Sequence, residues 1–285
     1  MSAVIGDRCS VFGFLLLGMG AGSAIGVQAA PDQRVPITDH RAQRAALRVC
    51  SDPNNLPFSD KQGGGFENKI AELIARDMHA RLEYTWSPQR RGFVKRTLNA
   101  DECDLIIGVP IGYGLVTTTA PYYRSSYVFV SRAGSAAPRS LDDPQLRRAR
   151  IGVALIGSHY QNTPPGHALA ARGIVQNVVG YPVYGDYAKR AAPPELIDAV
   201  ANGEIDVAIA WGPVAGYWAS RRRNALVVTP IAALTDSAAL PMNFEIALGV
   251  RRGDTSLAAR LNDILARNRR AINSILDSYG IPRAR

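Results

Sequence analysis

LRVCSDPNNLPFSDKQGGGFENKIAELIARDM, residues 47–78, changes character twice, and those changes decide the fold. It opens as a strand, with Leu47, Val49 and Cys50 apolar. Asp52-Pro53-Asn54-Asn55, then Pro57, then Gly63-Gly64-Gly65 interrupt regular structure. Ile70, Leu73, Ile74 and Met78 follow at helical spacing and make one apolar face, while Glu72 and Arg76 lie four apart and can pair on the other. Strand, long polar loop and helix form the β–α unit of an open parallel sheet, whose loops leave the carboxyl ends of the strands where ligands bind. Asp52, Asn54, Asn55 and Phe58 are therefore candidate cleft residues, offering hydrogen bonds and a ring to a small polar ligand. The same chemistry builds ordinary surface turns, so both readings stand locally.

The chain has 285 residues, 47% hydrophobic and 20% charged, enough for two packed domains. Residues 1–29 differ from the rest. Arg8 is the only cation ahead of an apolar, Gly-rich run from Val11 to Val27, and Val27-Gln28-Ala29 offers small residues for cleavage before Ala30. This reads as a secretory signal peptide and a periplasmic destination, with an uncleaved anchor as the rival. No later stretch reads as a membrane span. Residues 30–46, polar with two prolines, read as a flexible leader. Losing Asp7 and Arg8 together leaves the net charge at +9. Such a balance suits an acidic partner, an anionic surface or an anionic ligand, or is simply a solvated basic surface. Arg221-Arg222-Arg223 and the Arg-rich C-terminal helix carry most of the local excess, which makes Arg221 a candidate partner contact. No nucleic-acid motif accompanies them. Cys50 and Cys103 would remain after cleavage; one disulfide and two buried free thiols are both open.

Leu82 to Trp86 reads as a second strand. Ser87-Pro88-Gln89-Arg90-Arg91-Gly92 leads to a helix with Phe93, Val94, Thr97 and Leu98 inward. Arg90 and Arg91 sit near its start, where the macrodipole disfavours cations, so Arg90 is a candidate for the cleft and Arg91 for a partner. Cys103 to Val109 reads as a strand buried on both faces, ending in Pro110-Ile111-Gly112-Tyr113-Gly114. Three β–α units in succession imply a parallel α/β lobe. After a strand at 127–130 the pattern restarts. Residues 138–150 look helix-like and 151–155 form a strand. Gly157-Ser158-His159 could cradle an anion or polar ligand, and Pro164-Pro165-Gly166 stops any long helix. Residues 178–183 form a strand, 194–202 a helix, and 205–210 a buried strand ending in a Trp211-Gly212-Pro213 loop. Asn99 to Asp104 and Ala201 to Asp206 precede similar strands, so two similar lobes are indicated. Strands at 226–229 and 244–250 and a helix over 256–279 complete the chain.

A strand leaving the first lobe, a complete second lobe, and a returning strand with helices resemble a type II periplasmic solute-binding protein over residues 47–285. The marks are Leu56-Pro57-Phe58-Ser59, Gly65-Phe66-Glu67, Asp104 to Gly108, Ala120 to Tyr123 and Gly203 to Asp206. The implied fold is α/β and two-lobed, each lobe a mostly parallel sheet flanked by helices. Lobe 1 would be 47–124 plus 245–285 and lobe 2 would be 125–244, with hinges near Arg124-Ser125 and Asn243-Phe244. CSDPNNLPFS, GFENKIAELIARD, PQRRGFVKRTL and ECDLIIGVP together resemble the subfamily associated with quinoprotein alcohol dehydrogenases, which includes the J-type accessory proteins of methanol dehydrogenase systems. That resemblance implies a periplasmic partner of a pyrroloquinoline-quinone-dependent methanol or alcohol dehydrogenase, aiding its maturation or activation.

Amino-acid-binding members of the wider family carry an Arg after the third strand that clamps the ligand carboxylate, and an Asp after the second-lobe strand for its ammonium. Val116 and Trp211 stand in those places here. An aromatic cleft of Tyr113, Tyr122 and Trp211, with Pro110 and Phe244 beside it, would suit a neutral or apolar ligand or a segment of a partner. His40, His79, His159 and His167 show no zinc spacing, and no P-loop, G-x-S-x-G or dinucleotide fingerprint occurs. No cofactor, metal or catalytic residue is expected. The competing readings are a transport receptor for a small non-amino-acid solute and a dehydratase-like enzyme, for which Asp52 and His159 would be the candidates.

Overall fold

The computed structural model describes residues 45–156, 161–183, 194–222, 225–232 and 241–284. The expected signal peptide, residues 30–44 of the expected leader, Ser158 and His159 lie outside the described residues.

Strand β1 (Ala46–Ser51) begins one residue inside the expected leader. A small hairpin, β2 (Asn54–Asn55) and β3 (Ser59–Asp60), then turns the chain into α1 (Phe66–Asp77). Gly65 ahead of the helix is required sterically: a Cβ there would lie 2.0 Å from the Phe58 carbonyl oxygen. The side-chain oxygen of Asn68 accepts from the amides of Gly65 and Asp60, both at 3.0 Å, which closes the loop onto the helix. Phe66, Ile70, Leu73 and Ile74 are buried, and Met78 packs at the edge. Glu72 pairs with Lys69 at 3.0 Å rather than with Arg76, which donates to the Glu72 carbonyl.

Strand β4 (Arg81–Trp86) follows, then α2 (Phe93–Arg96), cut to one turn and continued by a 3-10 turn at Leu98–Ala100. Strand β5 (Leu105–Pro110) starts two residues later than expected, so Cys103 lies in the connection before it. Its sulfur is bonded to that of Cys50, with the Cα atoms 5.6 Å apart. The short β6 (Thr117–Thr118) precedes the long β7 (Tyr123–Arg132). Residues 138–150 are irregular apart from a 3-10 turn at Pro144–Arg147. Strands β8 (Ile151–Ile156) and β9 (Gln161–Asn162) lead to α3 (Pro164–Ala170), where the prolines begin a helix instead of stopping one. The first turn of a helix has no partner for its amides, so proline loses nothing there. The same reason explains α5 (Gly212–Ser220), which follows β10 (Val178–Pro182), α4 (Glu195–Ala201) and β11 (Val207–Trp211) and replaces the expected Gly-Pro loop. Strands β12 (Leu226–Pro230) and β13 (Asn243–Val250) precede α6 (Thr255–Arg267) and α7 (Arg269–Ser278). The expected single C-terminal helix breaks at Asn268, whose amide donates to the Ile264 carbonyl at 2.9 Å and to Asp77 at 2.7 Å.

The main strand order is β10-β8-β11-β7-β13-β5-β1-β4. In one lobe β4, β1 and β5 are parallel and β13 is antiparallel to β5. In the other β10, β8 and β11 are parallel and β7 runs antiparallel to β11 and β12. The lobes join where Tyr123 to Ser126 of β7 pairs antiparallel with Asn243 to Ile246 of β13.

The two lobes repeat one device. The Asp104 amide donates to the Arg48 carbonyl at 2.9 Å, and Arg48 returns a hydrogen bond to the Asp104 carboxylate at 2.6 Å. Asp206 and Arg150 are tied likewise, through both main-chain amides, at 2.9 and 2.8 Å. Each lobe thus locks its first strand to the entry of a central one. Burial would raise the Asp104 pKa, but hydrogen bonds from Arg48 and Arg251 outweigh it and hold the carboxyl below its ordinary value.

Past α7 the chain crosses to α5. Ser125 Oγ donates to the Pro282 carbonyl at 2.8 Å, and Tyr279 stacks on Tyr217 with ring centres 5.8 Å apart. A Cβ on Gly216 would lie 2.0 Å from the Gly280 carbonyl oxygen. Gly216→Ala is therefore expected to destabilise the fold by about 1–3 kcal/mol, read from the urea midpoint. The disulfide spans 53 residues of sequence. Replacing both cysteines by Ala is expected to lower unfolding free energy by about 2–4 kcal/mol; an unchanged midpoint would show that the crosslink contributes nothing.

Candidate functional site: the cleft between the lobes

A cavity of about 410 Å³ opens between the lobes where β7 and β13 change partners. Trp211, the last residue of β11, is the register partner of Tyr127 on β7. Phe244 on β13 completes the group, with ring centres 5.4 to 6.5 Å apart and edge-to-face orientation. Burial pushes the Tyr127 hydroxyl pKa up to about 12. Leu56 and Phe58 close the first-lobe wall, and Ile156, Leu196, Ile197 and Val214 close the other.

Polar groups are few. Among the described residues no charged side chain lines this cavity. Asn55 and Gln89 face each other across 3.4 Å, and the Thr163 hydroxyl is engaged with the Ala154 carbonyl at 2.8 Å. Such a wall favours an apolar surface with a few hydrogen-bonding groups at one edge.

Of the candidate residues, Asn55, Phe58, Pro110, Trp211 and Phe244 line the cavity. Asp52 does not. It is buried, and its carboxylate accepts from the amides of Asn54 at 2.9 Å and Gln89 at 2.7 Å, tying two loops together. Asn54 sits in the β2–β3 hairpin, outside the lining. Arg90 is exposed next to Gln89 and lies outside it too. Tyr122 is turned into the first lobe, packed against Tyr123 with its hydroxyl buried and unpartnered among the described residues. Tyr113 lines a separate, more open depression together with Pro110, Arg124, Phe244 and Glu245. Arg91 is exposed and its carbonyl accepts from Arg96 at 3.0 Å. Arg221 is exposed at the end of α5 but lies over the Tyr217 ring at 3.5 Å, so its guanidinium is committed to its own helix.

Tyr127, Gln89, Leu56 and Val214 are wall residues that the sequence did not single out. Tyr127 is recognisable only once it is paired with Trp211, and Val214 only once α5 replaces the loop. Of the two positions expected to replace the charged clamps of amino-acid binders, Trp211 lines the cavity and Val116 does not. Val116 is buried in a core with Cys50 and Cys103. Glu67 is a further buried acid beside Asp52 and Asp60. It is enclosed in the first lobe, where burial and then the charge of Asp52 raise its pKa well above the ordinary value. It does not line the cavity. Titration with each common amino acid at millimolar concentration is expected to leave the melting temperature unchanged. A rise of several degrees with any one of them would contradict this description of the cleft.

The model for bacterial extracellular solute-binding proteins, family 3, matches residues 47–280. Protein MoxJ of Methylorubrum extorquens is 29% identical over 249 residues, 83% of this chain and 81% of that protein. The crystal structure of the periplasmic binding protein XoxJ from Methylobacterium extorquens AM1 is 37% identical, covers 84% of this chain and 100% of its own, and superposes with a TM-score of 0.68. That of MxaJ from Methlophaga aminisulfidivorans MPT is 26% identical, with coverage of 84% and 100% and a TM-score of 0.72. The chain belongs to the bacterial extracellular solute-binding proteins, family 3, and has the two-lobed type II periplasmic-binding fold of the MoxJ and MxaJ kind.

Proposed function

We propose that the chain is a periplasmic accessory protein of a pyrroloquinoline-quinone-dependent methanol or alcohol dehydrogenase, and that its cleft receives an apolar segment of that enzyme during maturation or activation. The observation that carries this reading is the chemistry of the cleft. Its described walls are mostly aromatic and aliphatic, with Trp211 at their centre and no charged side chain among the described lining residues. An ionic solute entering it would lose water and gain no counter-charge from those walls, which disfavours binding by several kcal/mol. A chain segment carrying apolar side chains loses little by comparison and fills the volume. The likeness to XoxJ and MoxJ supports the same assignment.

An enzymatic role lacks support. Asp52 is occupied with two backbone amides, and no carboxylate or histidine among the described residues lines the cavity. The Cys50–Cys103 disulfide fits an oxidising compartment. No helix among the described residues is long and apolar enough to cross a membrane.

The test uses residues 30–285 and the purified dehydrogenase of the same organism in biolayer interferometry. Direct binding is expected, and Trp211→Asp is expected to weaken it by about tenfold or more, because a carboxylate would be buried against the segment. No binding, together with a small solute that raises the melting temperature, would replace this reading with a transport receptor.

A further inference from the structure

The first lobe is covered unequally. On one face α1, α6 and α7 bury Leu47, Val49, Leu105 and Ile107. On the other, a small core of Cys50, Ile106 and Val109 packs, among the described residues, against Phe93 and Val94 of α2, Leu98 of the 3-10 turn, Cys103 and Val116. The outside of this thin cover is the unusual surface. The loop from Pro110 to Val116 is held by turns, the Tyr113 amide to the Pro110 carbonyl and the Val116 amide to the Tyr113 carbonyl, both at 3.2 Å. It presents Ile111, Tyr113 and Leu115 at 42%, 37% and 48% exposure, three of the eight large exposed hydrophobic side chains among the described residues, within five positions. Gly112 and Gly114 between them have nothing within 4 Å of where a Cβ would be, so the crest is bare. Over the same small core α2 and its approach carry Arg90, Arg91, Lys95 and Arg96, all exposed. Arg91, Lys95 and Arg96 have no carboxylate partner among the described residues.

We infer that this face docks a folded protein surface bearing an apolar groove bordered by carboxylates, which, resting on the function proposed above, is an acidic surface of the dehydrogenase. Solvent-exposed apolar residues held on a rigid loop lose little entropy on docking, and flanking cations steer an acidic partner to them. A second copy of this chain is disfavoured, because a two-fold contact would set cations against cations. A flat anionic lipid surface is disfavoured by the depression beside the loop, lined by Pro110, Tyr113 and Phe244 with Arg124 and Glu245, because a concave site suits a protruding side chain of a folded partner. The cleft would then hold one segment of the enzyme while this face holds its folded body.

Two double variants test the inference by interferometry against the purified dehydrogenase: Tyr113→Ala with Leu115→Ser, and Arg91→Glu with Lys95→Glu. All four side chains are exposed, so the melting temperature is expected to change by no more than about 2 °C. Each variant is expected to weaken binding by about tenfold or more, and the charge-reversal effect is expected to shrink as salt rises. Undiminished binding by both variants, with binding still lost in Trp211→Asp, would overturn this docking face and leave the proposed function standing. Failure of the wild type to bind the dehydrogenase would overturn both. Binding of the wild type to phosphatidylglycerol vesicles that the variants lose, or a dimer in sedimentation that they dissolve, would assign the face to another partner and overturn the inference.

Discussion

The antiparallel pairing of Tyr123 to Ser126 with Asn243 to Ile246 is the contact on which the molecule depends. These two short runs are the ends of longer strands. Strand β7 continues from Tyr127 into the second lobe against β11, and β13 continues from Ile246 into the first lobe against β5. The cleft is the space left where the ladder changes partners, and Tyr127, Trp211 and Phe244 meet there because register allows nothing else. The C-terminal segment reinforces the junction. Ser125 and Arg124 both engage it, and Gly216 admits the Gly280 carbonyl against α5. A side chain larger than hydrogen at that point would push the second lobe away from the end of the chain.

The chemistry of the cleft follows from where charge has been placed and where it has been removed. Ion pairs concentrate at strand entries, as with Arg48, Asp104 and Arg251. Asp52, at the strand exit nearest the cleft, spends its carboxylate on backbone amides and so becomes a brace for the loops that form the wall. Among the described residues the wall is left to aromatic and aliphatic groups, with Asn55, Gln89 and Thr163 as its uncharged polar members. An unpaired charge buried against such walls costs several kcal/mol, which is the physical basis for expecting a different occupant from an amino acid.

The sequence made the skeleton legible because periodicity is a strong signal over long elements. Residues 47–78 and the buried strands were readable from alternation, spacing and glycine position. The errors fell where local chemistry has two outcomes. Pro164 and Pro213 were read as interruptions although each sits in a first helical turn, where proline is well accommodated. Tyr122 and Tyr113 lie close in sequence and equally invite a place in the cleft, yet the Tyr122 hydroxyl is buried while Tyr113 is exposed on a loop held by turns, a difference that needs the assembled connections on either side of β6. Asp52 looked like a ligand contact because a carboxylate in a loop after a strand usually has that freedom; one of its amide donors is two residues on and the other comes from a loop 37 residues away. Trp211 was singled out from the sequence and lines the cavity, whereas Val116 is packed in the small first-lobe core, and the rest of the wall required the assembled second lobe.

The most direct measurement places a photo-crosslinking benzoyl-phenylalanine at position 156, where Ile156 is 42% exposed on the cavity wall, and illuminates the protein with the dehydrogenase. The expected result is a covalent link to an apolar segment of the enzyme, identified by mass spectrometry and lost when unlabelled protein competes. Crosslinking from position 113 on the outer loop with none from position 156 would contradict the assignment of the cleft, showing that the enzyme touches the chain without entering it.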